Sequence, residues 1–268
     1  MKRRNLLAVL LCATLASPLA LAQQVIRMST TTSTENSGLL KYLIPIFEAK
    51  TGTKVNIIAV GTGKALELGK NGDVDVCLVH ARKLEDQFVA EGWGIDRRDV
   101  MYNDFIVVGP ASDPAHVKGM TDVMAAFRKI AESNVKFISR GDNSGTDVME
   151  KAYWKDVGAK PEGTNYVSAG LGMGEVLNMA AEMNAYTLTD RATYGAYKAK
   201  TGLAILVQGD KRMFNPYGII AVNPARHPGI NYKGATLLIN WITSPEGQAK
   251  IAAFKPDGEQ LFFPDAQK

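Results

Sequence analysis

The segment Arg140-Gly141-Asp142-Asn143-Ser144-Gly145-Thr146 lies between a predicted strand at residues 135–139 and a predicted helix at residues 147–154. Glycine lets the backbone approach a ligand closely, and the first N–H groups of a helix are free to bind an anion. The guanidinium of Arg140 adds a permanent charge and a planar set of donors. The segment therefore predicts an oxyanion site, with a capped turn and an exposed arginine as the structural alternative.

A second segment, Ser29-Thr30-Thr31-Thr32-Ser33-Thr34-Glu35-Asn36-Ser37-Gly38, carries six consecutive hydroxyl side chains. It is predicted to connect a strand at residues 25–28 with a helix whose apolar positions begin at Leu39. One Ser or Thr is enough to cap a helix, so the excess indicates a second group of neutral donors. A polar loop with one capping residue is the structural alternative. Two such groups facing each other across a cleft would enclose an anion.

Residues 1–22 have the pattern of an export signal. Lys2, Arg3 and Arg4 precede an apolar stretch, and Ala20-Leu21-Ala22 is a small-x-small cleavage site. The mature chain is expected to begin at Gln23, in a bacterial periplasm. Cleavage would remove three of the 31 basic residues and leave 28 against 27 acidic ones, so no nucleic-acid-binding face is predicted.

Strands and helices alternate along the remaining chain, which predicts an α/β protein with largely parallel sheets. No linker is visible, so two lobes would be joined by ordinary strands, at residues 104–109 and 215–221. The first lobe would comprise residues 23–108 and 215–268, and the second lobe residues 109–214. The two hydroxyl-rich segments fall on different lobes and can meet only in the cleft. This arrangement is typical of a binding protein that closes on its ligand.

Other motifs carry less weight. Gly61-Thr62-Gly63-Lys64-Ala65 has some features of a P-loop, but Ala65 stands where that motif requires Ser or Thr. A glycine turn into a helix is preferred, with Thr62 as a candidate for lining the cleft. The three histidines lie far apart in the sequence and predict no metal site. No cofactor is predicted, and no catalytic triad or carboxylate pair indicates an enzyme.

The chain resembles the tungstate-binding (TupA-type) group of periplasmic substrate-binding proteins of ABC uptake systems. The resemblance spans essentially the whole mature chain and rests on five segments in order: TTTSTENSGLL (30–40), SRGDNSGT (139–146), YTLTDRATY (186–194), NPYGIIAVNP (215–224) and GEQLFFP (258–264). It implies the two-lobed type II periplasmic binding-protein fold, each lobe a mixed, mostly parallel sheet flanked by helices, with the ligand cleft between them. It also implies capture of tungstate, or molybdate, for a membrane permease, by a protein that is a monomer by default.

The R-x-x-x-S-G-T pattern is also similar to the anion-contacting segment of phosphate-binding proteins. This similarity assigns ligand contacts to Arg140, Ser144, Gly145 and Thr146. The threonine-rich segment adds Thr31, Thr32 and Ser33, with Thr31 and Thr32 as the favoured direct contacts. Thr187, in the third segment, is a further candidate.

The identity of the anion depends partly on Asp142, which has two possible roles. It orients the Arg140 guanidinium, or it accepts a hydrogen bond from a protonated ligand such as phosphate. The first role is favoured, because the threonine-rich segment contains no carboxylate except Glu35 and a tungstate site needs only donors. A phosphate or sulfate carrier, and an exported enzyme acting on phosphorylated substrates, remain the alternatives.

Overall fold

The computed structural model describes residues 25–266, and the predicted export signal lies outside this range. The strands are β1 (Val25–Thr31), β2 (Lys54–Val60), β3 (Val76–Val79), β4 (Gly94–Gly109), β5 (Phe137–Ser139), β6 (Tyr166–Ser168), β7 (Thr187–Asp190), β8 (Ala204–Val207), β9 (Phe214–Val222) and β10 (Phe263–Pro264). The helices are α1 (Thr32–Asn36), α2 (Leu39–Thr51), α3 (Thr62–Asn71), α4 (Arg82–Ala90), α5 (Val123–Glu132), α6 (Gly145–Asp156), α7 (Met173–Glu182), α8 (Arg191–Thr201), α9 (Tyr232–Ile242) and α10 (Pro245–Ala253). Within the described range, no helix has the length and apolar character needed to cross a membrane.

The main sheet has the strand order β10-β4-β9-β3-β1-β2, and β7 and β8 pair with the end of β4. β1 is parallel to β2 and β3, whereas β9 is antiparallel to β3 and β4. β7, β8 and β10 are also antiparallel to β4. The predicted mixed α/β fold is confirmed, with more antiparallel pairing than the alternation of elements suggested. The reason is that β9, late in the chain, inserts between β3 and β4, which run in the same direction.

The long strand β4 spans two regions of the molecule. Its residues 94–104 pair with β9, and its residues 105–109 pair with β7 and β8. The sequence predicted only the second part, because the charged run Arg97-Arg98-Asp99 obscures the strand pattern. In the structure, Arg97 forms an ion pair of 2.8 Å with the buried Glu85 of α4, a helix that was also not predicted. The charge of Arg97, which hides the pattern of β4 in the sequence, is thus paired with Glu85 of a different element.

The buried apolar side chains gather into separate clusters around the first and the second part of this strand. One pair of clusters is built from residues 26–101 and 217–262, with Ala192 as an addition. The other pair is built from residues 105–213. The clusters follow the crossing strands along the chain, and the division into two lobes and their movement stay predictions.

The threonine-rich segment is not the polar loop that was the structural alternative, and the predicted strand at residues 25–28 is longer than expected. Residues 29–31 continue β1, because Thr31 lies in parallel register with Val60 of β2, and Thr32 begins α1. Ile26 and Met28 are fully buried and anchor the strand in the core. The hydroxyl residues consequently lie at the carboxyl end of a parallel strand, where α/β proteins usually bind their ligands.

Candidate functional site

Parallel strands bring distant segments to one place. β1 ends at Thr31, β2 is followed closely by Thr62, and β3 is followed by His80. Since β1 is parallel to both neighbours, these three carboxyl ends meet at the same edge of the sheet. In the other part of the molecule, β5 ends at Ser139 and leads directly to Arg140.

Arg140 joins the two hydroxyl-rich segments. Its side chain is buried, with 1% of the residue exposed. Nη1 donates to Ser33 Oγ and Nη2 donates to Thr32 Oγ1, each at 2.9 Å. The segments that the sequence predicted to face each other are therefore in contact through the guanidinium, at the beginning of α1.

Asp142 is the charged partner of Arg140. Its Oδ2 accepts a hydrogen bond from Arg140 Nη2, and its Oδ1 accepts one from the Ser144 backbone N at 3.1 Å. Both carboxylate oxygens are engaged within the same loop. Of the two roles that the sequence left open for Asp142, the structure favours the orientation of Arg140.

The beginning of α3 touches the beginning of α6. Thr62 Oγ1 accepts a hydrogen bond from the Gly145 backbone N at 3.0 Å, and Asn143 O accepts one from Gly63 N at 3.2 Å. A Cβ atom at Gly145 would lie 2.6 Å from the carbonyl oxygen of His80. Only glycine permits this approach, so the glycine of the R-x-x-x-S-G-T pattern has a steric reason.

Asp147 fixes the loop that precedes α6. Its buried carboxylate accepts hydrogen bonds from the backbone N atoms of Gly141 and Asn143, at 3.1 and 3.0 Å. Ser144 Oγ caps the helix by accepting from Asp147 N at 3.2 Å. Thr146 is fully buried, and its Oγ1 finds no hydrogen-bond partner among residues 25–266. A buried hydroxyl without a partner is costly, which points to an acceptor on a ligand.

Several hydroxyls at this junction have a hydrogen that no residue of the described range accepts. They belong to Thr32, Ser33, Thr62, Ser144 and Thr146. A hydroxyl that already accepts a hydrogen bond can still donate one. Together with Arg140 and the positive ends of α3 and α6, these groups offer donors and positive potential in one place. This chemistry suits an anion that carries no proton.

Two other candidate residues have different contacts. Thr31 Oγ1 caps α1 by accepting from Thr34 N at 3.2 Å, and it lies 3.0 Å from His80 Nε2. Thr187 Oγ1 donates to the carbonyl oxygen of Ile138 at 2.8 Å. Since a hydroxyl has one hydrogen, Thr187 cannot also donate to a ligand in this arrangement. The structure therefore does not bring the Thr187 hydroxyl into the site, because the neighbouring strand end takes its hydrogen.

His80 lies at this junction, although sequence reasoning gave it no role. Its ring is buried, Nδ1 lies 3.0 Å from Asn215 Oδ1, and the ring stacks on Tyr217 with centroids 4.6 Å apart. Burial lowers the pKa of His80 to about 4, so the imidazole is neutral at neutral pH. Its position directly after a buried parallel strand is the signal that could have identified it. Within residues 25–266, no three His, Cys, Asp or Glu side chains are grouped to hold a metal ion.

Glu150 of α6 gives the protein a testable pH dependence. Its buried Oε1 accepts hydrogen bonds from Trp154 Nε1 at 2.9 Å and Tyr166 OH at 2.8 Å, and burial raises its pKa to about 7. The proton bound by the folded state stabilises it fully below about pH 4.5, and this contribution is lost as the pH rises through about 7. Glu150→Gln keeps the acceptor oxygen and cannot ionise. Between about pH 4.5 and 7, the unfolding free energy of Glu150→Gln should therefore fall by about 3 kcal/mol less than that of the wild type.

Urea unfolding of the wild type and of Glu150→Gln, at a pH below and a pH above this range, measures the effect. The matched control is Glu162→Gln, because the Glu162 side chain is 65% exposed and forms an ion pair with an exposed lysine. The control should keep the pH dependence of the wild type. The same pH dependence in both variants would contradict the role given to Glu150.

Comparisons with known proteins agree over most of the chain. The family model of the PBP superfamily domain matches residues 19–246. A tungstate-binding protein TupA from Peptoclostridium acidaminophilum is 51% identical over 251 residues, which cover 92% of this chain and 88% of that protein.

Two solved structures are also similar. The tungstate ABC transporter structure from Geobacter sulfurreducens is 55% identical, with a TM-score of 0.80, and the match covers 86% of this chain and 98% of that one. The tungstate-binding protein TupA from Desulfovibrio alaskensis G20 is 50% identical, with a TM-score of 0.77, and the match covers 91% and 100% of the two chains. The chain therefore belongs to the PBP superfamily and, within it, to the TupA family of tungstate-binding proteins.

Proposed function

We propose that the protein binds tungstate, with molybdate as a second ligand, and delivers it to the membrane permease of an ABC transporter. The observation that carries the proposal is the group of hydroxyls with uncommitted hydrogens around the buried Arg140. The identity of the ligand is supported by the relatives that are named for tungstate, which are 50–55% identical to this chain. The protein acts by binding and release and does not turn over its ligand.

The absence of a free carboxylate among these groups favours an anion without a proton. Tungstate carries no proton near neutral pH, whereas phosphate is partly protonated and benefits from an acceptor carboxylate. The Asp142 carboxylate is already engaged by Arg140 and by Ser144 N. Tungstate and molybdate have nearly the same size and charge, so we expect the site to bind both.

In this proposal, the groups around the anion come from both parts of the chain. They are Arg140, Thr32, Ser33, Thr62, Ser144 and Thr146, whereas Gly145 N donates to Thr62 Oγ1 and so joins the two parts of the chain beside the ligand. Thr31 supports the site by capping α1, and the Thr187 hydroxyl lies outside the site because it donates to the carbonyl oxygen of Ile138. The proposed role of Thr31 thus differs from the one that the resemblance implies, which is a direct contact with the ligand.

Binding is coupled to closure of two lobes, comprising residues 23–108 with 215–268 and residues 109–214. The contacts of Arg140 with Thr32 and Ser33, and of Gly145 with Thr62, join residues of different lobes. A ligand that touches both sides stabilises the closed arrangement more than an open one. The protein works as a monomer in the periplasm, after removal of residues 1–22.

Calorimetric titration of ligand-stripped protein with tungstate, molybdate, phosphate and sulfate, in separate runs, tests the proposal. We expect tight one-to-one binding of tungstate, binding of molybdate, and no heat from phosphate or sulfate. Phosphate binding without a tungstate signal would assign the site to a phosphate carrier. No binding of any of the four anions would contradict an oxyanion carrier, and turnover of a phosphate ester above a heat-inactivated control would indicate an enzyme.

Thr146→Val separates ligand binding from folding. Valine has nearly the shape of threonine but lacks the hydroxyl, whose oxygen is buried without a partner. Removing an unpaired polar atom should raise the unfolding free energy of the ligand-free protein by about 1 kcal/mol. Removing a ligand donor should weaken tungstate binding by roughly tenfold or more.

Urea unfolding and calorimetry measure these two effects on the same sample. Thr187→Val is the matched control, because its hydroxyl serves a backbone carbonyl. It should lower stability and leave affinity nearly unchanged. If Thr146→Val binds tungstate as well as the wild type, Thr146 is not a ligand donor.

A further inference from the structure

Five buried side chains form a continuous line of polar contacts behind the proposed anion site. Asn103 Nδ2 lies 3.4 Å from Asp190 Oδ1, and Asn215 Nδ2 lies 2.7 Å from Asn103 Oδ1. His80 Nδ1 lies 3.0 Å from Asn215 Oδ1, and His80 Nε2 lies 3.0 Å from Thr31 Oγ1. All five residues are 3% exposed or less. We call this line the Asp190–Thr31 relay.

The direction of the relay follows from its Asp190 end. Asp190 Oδ1 accepts a hydrogen bond from Thr193 N at 2.8 Å, and Oδ2 accepts one from Thr193 Oγ1 at 2.7 Å. Burial raises the pKa of Asp190, and these two hydrogen bonds oppose that rise. Its neighbour Asn103 must therefore turn its NH₂ group toward it and its oxygen toward the next amide.

Asn215, in turn, donates to Asn103 and presents its own oxygen to His80. His80 must then carry its proton on Nδ1, which leaves Nε2 as an acceptor. The hydroxyl of Thr31 is the group that donates to Nε2. Thr34 N donates to the same oxygen, and Thr34 Oγ1 lies 2.7 Å from it. With the Thr31 hydrogen directed to Nε2, the Thr34 hydroxyl donates to Thr31 Oγ1.

The relay connects elements that are far apart in the chain. Asp190 ends β7, Asn103 and Asn215 lie on β4 and β9, His80 follows β3, and Thr31 ends β1. β4 and β9 are the strands that contain the predicted crossings between the lobes. The relay therefore runs from the second proposed lobe, through both crossing strands, to the cap of α1.

Thr31 is the point at which the relay reaches the site. Its oxygen caps α1, and the next two residues, Thr32 and Ser33, hold the Arg140 guanidinium. Thr193, which donates to Asp190, also lies with its Oγ1 3.1 Å from the carbonyl oxygen of Ser33. Both ends of the relay therefore lie beside the start of α1, with the single hydrogen of Thr193 Oγ1 directed to Asp190.

We propose that His80 is a positioning residue, kept as the neutral Nδ1–H tautomer by the Asp190–Thr31 relay, and that it fixes the start of α1 for anion binding. This inference rests on the proposed function and adds to it. The relay uses the only hydrogen of the Thr31 hydroxyl, so Thr31 does not donate to the anion. It leaves the hydroxyls of Thr32 and Ser33 free to do so.

The tautomer is measured by ¹⁵N NMR of the ligand-free protein labelled at histidine. The chain has three histidines, so His80 is assigned by comparison with the spectrum of His80→Gln. We expect a protonated Nδ1 and an unprotonated Nε2 for His80 at neutral pH. A protonated Nε2, or an imidazolium, would overturn the direction of the relay. This measurement needs no ligand, so it stands whether or not tungstate proves to be the ligand.

Two substitutions at His80 test the positioning role. Glutamine carries a donor and an acceptor at about the spacing of the two ring nitrogens, so it can donate to Asn215 and accept from Thr31. Leucine has similar bulk and neither group. We expect His80→Gln to bind tungstate within about threefold of the wild type and His80→Leu to bind at least about tenfold more weakly. Equal affinities of the two variants would overturn the proposal.

Asp190→Asn tests the origin of the direction. An amide at this position can donate as well as accept, so the relay is no longer constrained and the Nε2–H tautomer of His80 should appear in the spectrum. Tungstate binding should weaken, although removal of a buried negative charge would by itself favour an anion. An unchanged tautomer would show that Asp190 does not set the direction, and stronger binding would show that charge alone matters. If Asp190→Asn does not fold, the wild-type spectrum and the affinities of the two His80 variants still test the proposal.

Discussion

Arg140→Ala is expected to weaken tungstate binding by roughly 10³-fold, because truncating one partner of a buried charge pair typically costs about 4 kcal/mol. The guanidinium is buried and donates to Thr32, Ser33 and Asp142. Its removal takes away the positive charge and leaves the Asp142 carboxylate without its partner, next to the anion. Calorimetric titration with tungstate measures the loss.

Three further variants separate the causes. Arg140→Lys keeps the charge but loses the planar fork, so its affinity should lie between those of the wild type and Arg140→Ala. Adding Asp142→Asn to Arg140→Ala removes the unpaired carboxylate and should restore part of the affinity. Arg97→Ala is the matched control, because Arg97 is also mostly buried and paired with Glu85 but lies outside the site. It should reduce stability and leave the affinity nearly unchanged. Wild-type affinity in Arg140→Ala would remove Arg140 from the site.

Gly145→Ala should weaken tungstate binding by roughly 100-fold. The added methyl group would lie 2.6 Å from the carbonyl oxygen of His80 and 3.0 Å from its Nδ1. A backbone oxygen cannot move aside as a flexible side chain does, so the start of α6 must shift away, at a cost of about 1–3 kcal/mol from overpacking. The shift also separates Gly145 N from Thr62 Oγ1, a contact that joins the two proposed lobes.

The stability of the ligand-free protein shows whether this effect acts on closure or on folding. Alanine is a better helix former than glycine, so Gly145→Ala should not weaken α6 itself. We expect the thermal unfolding midpoint without ligand to change little while the affinity falls. Gly229→Ala is the control, because its Cβ would meet no atom within 4 Å. If both variants bind tungstate equally well, the contact between Gly145 and His80 does not limit closure.

The sequence supported much of the site. The strand-to-helix transitions around Arg140 and around Thr31 could be predicted from the order of residues alone. The hydroxyl residues and glycines stand between an apolar strand pattern and an apolar helix pattern. The role of Asp142 as the partner of Arg140 could be favoured because the threonine-rich segment contains no carboxylate except Glu35, and the two side chains, two residues apart, are in contact in the structure. Contacts over two to four residues depend on local backbone geometry, which residue types strongly influence.

Other parts of the site were hidden because their partners are distant in the chain. His80 contacts Thr31, 49 residues away, and Asn215, 135 residues away. Nothing in the local sequence around a lone histidine reveals such neighbours. The first part of β4 was missed for a related reason, since the charge of Arg97 is satisfied by Glu85 of α4.

The sequence by itself determined the chemistry of this protein: one arginine, a set of hydroxyls and close-packing glycines at the starts of helices, in the pattern of an oxyanion binder. Only the tertiary structure decided which hydroxyls keep a hydrogen for a ligand. Thr31 was favoured together with Thr32, and Thr187 was a further candidate, yet His80 and a strand carbonyl engage the hydroxyls of Thr31 and Thr187. The physical reason is that a hydroxyl has a single hydrogen, and its direction is set by whichever acceptor the fold places beside it.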